Sequence, residues 1–250
     1  MAQAARGTGF MSLLERFWST DTSLTALLAF LCLDLFLLQP LGQHGVVGGL
    51  VLSMVFSLML VSGVGAVAKS MLTTLSVGGI VLVALVLHWL RVWAGGQSLA
   101  MSDAATAAIF CIVLALVVLA QVFREGPITS HRIQGAVAVY LLLALAFASG
   151  YQLIELQWPH AFAPPPATAT SPAAGLGSRF VYFSLVTLTT VGYGDISAVH
   201  PVARSLVTME ALVGQLFPAI LLARLVSMEV VHRRAEHQAL VARRKERIEC

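Results

Sequence analysis

The chain has 250 residues, of which 58% are hydrophobic and only 11% charged, with a mean hydropathy of +0.87. Soluble domains carry about 25% charged residues, so this composition excludes a water-soluble single-core protein and leaves a polytopic membrane protein. The formal net charge of +3 does not argue for nucleic acid, because the basic residues lie between apolar runs and in the C-terminal tail.

In chain order, residues 1–21 hold Arg6 and Arg16 ahead of the first apolar run. That run is longer than the apolar region of a secretory signal and is followed by no small-residue cleavage site, so it reads as a retained span. Spanning helices need about 20 predominantly apolar residues. Six segments supply them, at 22–41, 46–67, 71–93, 104–123, 133–157 and 200–226. The expected fold class is an all-α membrane protein. Cys32 and Cys111 fall in apolar runs and Cys250 is the last residue, a pattern with neither a disulfide framework nor metal-ligand spacing.

Residues 22–124 are expected to form a four-helix peripheral domain. Asp34 lies inside its first span, where an acid is costly and is usually paired or functional. It reads either as a structural hydrogen bond to a Ser or Thr of a neighbouring span or as a proton- or ligand-sensing group. His88 and Arg91 are expected at the outer interface, with Trp89 and Trp93 as aromatic anchors. The fourth span, 104–123, contains no charge, and Arg124 follows it. A voltage sensor needs several arginines there, since each charge crossing 100 mV contributes about 2.3 kcal/mol. Weak voltage dependence at most is expected.

Beyond the fifth span, residues 159–177 are rich in Pro, Ala and Thr and read as a flexible extracellular turret. The apolar stretch 178–188 is too short to cross. It suits a re-entrant helix, which a membrane tolerates only where protein buries it or a water-filled pore adjoins it. Thr189-Thr-Val-Gly-Tyr-Gly-Asp195 follows. A cation crossing hydrocarbon must exchange its water for other oxygens, and backbone carbonyls aimed at one axis supply them. Gly192 and Gly194 reach positive φ without steric cost, which lets successive carbonyls point the same way. Thr190 adds a hydroxyl, and Val191 and Tyr193 turn outward to wedge the strand. One strand gives one carbonyl per level, so a dehydrated potassium ion requires a symmetric ring of copies, here a homotetramer. No strand precedes the glycines and no lysine follows them, against a phosphate-cradling loop.

In the sixth span, Glu210 reads as holding the base of the re-entrant helix, as facing the ion pathway, or as simply paired. Gly214 is a bending point or a close-packing contact. Pro218 removes a helix hydrogen bond, which places a bend within 214–218. The tail, 227–250, with Arg233, Arg234, Arg243, Arg244, Lys245 and Arg247, reads as an anchor, as an anionic-lipid contact, or least well as a tetrameric coiled coil; it is too short for a soluble domain. A cytoplasmic N-terminus puts these residues, Arg6, Arg16, Lys69, Arg124, Arg132 and Arg224 inside, and leaves Arg91, Arg179 and Arg204 outside. Both termini are then cytoplasmic.

Thr190-Val-Gly-Tyr-Gly-Asp195 resembles the signature of the potassium channel superfamily. Tyr182-Phe-Ser-Leu-Val-Thr-Leu-Thr-Thr190 is similar to that family's pore helix, Arg204 stands where a basic residue is common, and Gly214 falls where a hinge glycine often lies. The resemblance covers about residues 133–226. It implies potassium sites at Thr190, Val191, Gly192 and Tyr193, a filter completed by Gly194, and support from Thr189, Asp195, Tyr182 and Val186. It also implies passive flux without catalysis and no cofactor beyond the permeating ion. Two departures matter. Tyr182 and Phe183 stand where many relatives have tryptophans, one of which holds the filter aspartate, so the Tyr182 hydroxyl is expected to bond Asp195. Val186 occupies a position that is glutamate in some bacterial relatives. The six-span layout is that of voltage-gated channels without their sensor arginines, and its short connections suit a prokaryotic inner membrane. A potassium transporter or a non-conducting sensory subunit is the rival reading. Channel-like transporters carry four degenerate pore loops, however, and an intact hexapeptide argues for conduction.

Overall fold

The computed structural model describes residues 20–38, 45–67, 71–123, 130–163 and 176–249. Arg6, Arg16, Lys69, Arg124, Cys250 and most of the expected turret lie outside the described residues. In chain order the elements are α1 (Thr20–Cys32), which continues as a π-helix (Leu33–Leu38), α2 (Gly45–Val67), α3 (Met71–Ala94), α4 (Gln97–Val122), α5 (Ser130–Gln157), β1 (Phe162–Ala163), α6 (Leu176–Leu188), β2 (Ser197–Ala198) and α7 (Pro201–Glu249).

The protein is mostly helical, as the continuous apolar runs require: backbone polar groups in hydrocarbon must be satisfied within their own segment. Stretches within α3, α4, α5 and α7 are long and apolar enough to cross a membrane, namely Val77–Ala94, Gln97–Val122, Arg132–Gln157 and Pro201–Ser227. The described apolar stretches of the first two helices are shorter, Leu24–Phe36 and Ser53–Gly63.

Several boundaries differ from the sequence expectation. The fourth helix begins at Gln97 rather than 104, because Gly95 and Gly96 take positive φ of 65° and 97° and turn the chain abruptly after α3. That start draws Asp103 into the helix. The all-α expectation needs one correction: β1 and β2 pair antiparallel, Phe162 opposite Ala198 and Ala163 opposite Ser197. The last helix does not end with its apolar part. It runs unbroken for 49 residues through Pro218, since the tail is rich in Ala, Leu, Arg, Lys and Glu, all good helix formers.

The most extensive packing is between α4 and α5. Their buried faces join Leu114, Val118 and Val122 to Ala136, Val139 and Leu142 in one core. Gly135 allows the approach, because a Cβ there would lie 2.9 Å from Val122 Cγ2. At the other end Gln97 donates to the Leu156 carbonyl at 2.7 Å. The helices before α5 are thus fixed directly to it through α4.

Candidate functional site

The site is built from α6, the segment after it, and the two long helices α5 and α7 that hold them. The α6 helix ends when Thr189 N–H bonds the Leu185 carbonyl at 3.0 Å and Thr190 N–H bonds the Thr187 carbonyl at 2.9 Å. The Thr189 hydroxyl also donates to the Leu185 carbonyl, at 2.7 Å. The chain then turns outward with alternating backbone handedness: φ is +60° at Thr190, +56° at Gly192 and +78° at Gly194. Alternation of this kind sends successive carbonyls to one side. Two glycines supply it freely, whereas Thr190 adopts it against the Cβ penalty. Val186 holds the strand through its backbone, not its side chain: its carbonyl accepts from Val191 N–H at 3.0 Å and Gly192 N–H at 3.2 Å. Val191 and Tyr193 are 53% and 72% exposed, so nothing among the described residues wedges them.

Behind the strand, α7 comes close to the end of α6. A Cβ on Gly214 would lie 2.0 Å from the Leu188 carbonyl oxygen. Glycine is therefore required there for contact, the packing alternative left open by the sequence. The same carbonyl accepts from the Tyr140 hydroxyl of α5 at 2.9 Å. One turn earlier on α7, Glu210 is fully buried. Its carboxyl group is hydrogen-bonded to Tyr151 of α5 and to Ser184 of α6. The group is thus buried and joined to both α5 and α6. Tyr151 and Ser184 had no signal of their own in the sequence, since one Tyr and one Ser in apolar helices are common.

The β1–β2 pair ties the chain before α6 to the chain after the glycine segment. The Ala161 carbonyl accepts from Val199 N–H at 2.9 Å and His200 N–H at 3.1 Å, and Trp158 stacks on His200 with centroids 4.9 Å apart. Arg204 Nε donates to the Ala198 carbonyl at 3.1 Å, and Phe162 packs edge-on against Tyr151, Phe180 and Phe183. Tyr182 faces Asp195. Burial first, and then the hydrogen bond and charge of Asp195, lift the Tyr182 hydroxyl above the ordinary phenol range.

A second polar cluster lies between α3 and α4. Asp103 of α4 is buried and accepts from Arg91 at 2.6 Å and from His88 Nδ1 at 3.2 Å. His88 and Arg91 are thus paired with Asp103, while Trp93 is 84% exposed. A cavity of about 140 Å³ adjoins the cluster, lined by Asp34, His88, Arg91, Asp103, Ser149 and Gln152. Asp34 is buried on its wall, in the π-helical segment. Asp103 was missed because the apolar run starts one residue after it.

Residues 139–230 match the Ion_trans_2 family model, described as an ion channel. That region takes in most of α5, then α6, the glycine segment and the apolar part of α7. Two curated proteins, each called Protein LctB, are 36% identical in Bacillus caldotenax and 33% in Geobacillus stearothermophilus over 87 residues. The alignments cover 35% of this chain and 64% of each relative. No solved structure matches. The ion-channel match and the apolar helices support a membrane protein with an ion-channel domain.

Proposed function

We propose that this chain is the subunit of a homotetrameric potassium-selective channel, with residues 189–195 as its filter. The observation that supports the reading is the alternation of backbone handedness at Thr190, Gly192 and Gly194, which turns a run of carbonyls into a row of ligands. Carbonyls of Thr190, Val191, Gly192 and Tyr193, with the Thr190 hydroxyl, replace the water of a potassium ion when four copies face one axis. Assembly also accounts for the exposed Val191 and Tyr193 and for the apolar Met209, Leu212, Leu216 and Ile220 exposed on α7. Neighbouring copies cover these side chains.

Flux through such a ring is passive and needs no cofactor. Bending of α7 at Gly214 and Pro218 widens its inner end: Pro218 lacks the N–H that would bond the Gly214 carbonyl. Six spans place both termini in the cytoplasm of a prokaryotic inner membrane, with the basic tail against anionic lipid. Purified protein in liposomes, loaded with a potassium gradient, tests the reading. Potassium flux with strong discrimination against sodium is expected. No flux, or equal flux of both ions, refutes it and favours a non-conducting or transporter role.

A further inference from the structure

Counting protons around Glu210 leads to a statement about its charge. Ser184 Oγ lies 2.7 Å from the Ala144 carbonyl oxygen, and a carbonyl can only accept. A serine hydroxyl has one proton to give, and this contact uses it. Ser184 Oγ is also in hydrogen-bond contact with Glu210 Oε1, so that contact needs a proton from the carboxyl side. At the other oxygen, the Tyr151 hydroxyl donates to Glu210 Oε2. The one arrangement that satisfies every contact is a chain: Tyr151 O–H to Glu210, Glu210 O–H to Ser184, Ser184 O–H to the Ala144 carbonyl.

We infer that Glu210 is a neutral carboxylic acid at neutral pH and acts as the positioning residue that locks the re-entrant helix between α5 and α7. Tyr151, Ser184 and Glu210 are all fully buried. Among the described residues no basic side chain forms an ion pair with Glu210, so none of them offsets a charge on it. The titratable groups that face it are Tyr151 and Tyr140, both on α5, and the Tyr140 hydroxyl is already committed to the Leu188 carbonyl. An anion here would leave two lone-pair oxygens in contact in a fully buried site, which is costly. The neutral acid instead links three helices through one proton relay, and its partner Ser184 lies one turn before Leu188, where the proposed filter begins. The role as a lock for a conducting filter rests on the function proposed above; the protonation state does not.

The test compares wild type, Glu210→Gln and Tyr151→Phe, using infrared difference spectra, thermal melting in detergent and potassium flux. Wild type at neutral pH is expected to show a protonated-carboxyl C=O band that Glu210→Gln abolishes. Tyr151→Phe keeps that band but moves it to higher frequency, because the C=O oxygen loses its donor. Glutamine mimics the neutral acid, donating to Ser184 and accepting from Tyr151, so its melting temperature and flux stay within twofold or a few degrees of wild type. Identical wild-type and Glu210→Gln spectra in the carboxyl region overturn the inference. So does a Glu210→Gln variant that loses tenfold or more in flux while wild type conducts. If wild type itself does not conduct, the spectra and melting still decide the protonation state, and only the proposed function fails.

Discussion

Replacing Gly214 by alanine is the sharpest perturbation the packing offers. The added Cβ would sit 2.0 Å from the Leu188 oxygen, 2.8 Å from its carbonyl carbon and 3.0 Å from its Cα. A relaxed C···O contact is about 3.3 Å, so α6 and α7 must separate by about 1.3 Å. Neither side can yield locally, because the obstacle is backbone, and the Leu188 carbonyl is also held by Tyr140. Overpacking of this kind costs about 1–3 kcal/mol. The functional loss is larger than the energetic one: binding constellations need about 0.5 Å of precision, and the chain reverses into the glycine segment immediately after Leu188. Gly214→Ala is expected to lower potassium flux in liposomes more than tenfold and to lower the melting temperature of the assembly. Gly150→Ala is the control, since its Cβ would meet only the flexible Leu206 Cδ2 at 3.1 Å; flux should stay within twofold. A Gly214→Ala channel with wild-type flux and selectivity would show that the contact does not position the filter. An alanine effect on opening alone, with conduction per open channel intact, would assign Gly214 to bending instead.

Other expectations follow from the same geometry. Tyr182→Phe removes the hydroxyl that faces Asp195 and should speed the decay of current during sustained opening; unchanged decay in patch recordings would count against a role for that hydroxyl. Asp103→Asn leaves Arg91 and His88 without their carboxylate, at a cost of about 1–3 kcal/mol, which for a chain of this size lowers the melting temperature by roughly 2–4 °C per kcal/mol. A variant that melts with wild type would show the cluster to be dispensable. The α4 segment Gln97–Val122 contains no Lys or Arg, so conductance should change little with voltage, and gating currents of several charges per subunit would contradict this.

The periodicity-free apolar runs made the helical class and the location of the glycine segment legible, because a bilayer leaves so few alternatives for the backbone. Gly192 and Gly194 advertised positive φ, since no other residue reaches it without cost. The sequence could not say that Thr190 shares that conformation, or that Val186 grips the strand by its carbonyl. Those are properties of how a helix end meets a turn, and they do not depend on side-chain identity. Long-range contacts were equally hidden. That Glu210 is acidic and buried in a span was visible; that it meets Tyr151, 59 residues away, and Ser184, 26 away, depends on how α5, α6 and α7 cross. Asp103 was invisible until the Gly95–Gly96 turn fixed where α4 starts. Sequence alone determined the composition of the glycine segment and the absence of arginines in α4, because both are matters of residue type at local spacing. Only the tertiary structure decided what packs behind the glycine segment, because close backbone approach and buried polar partners arise between elements far apart in the chain.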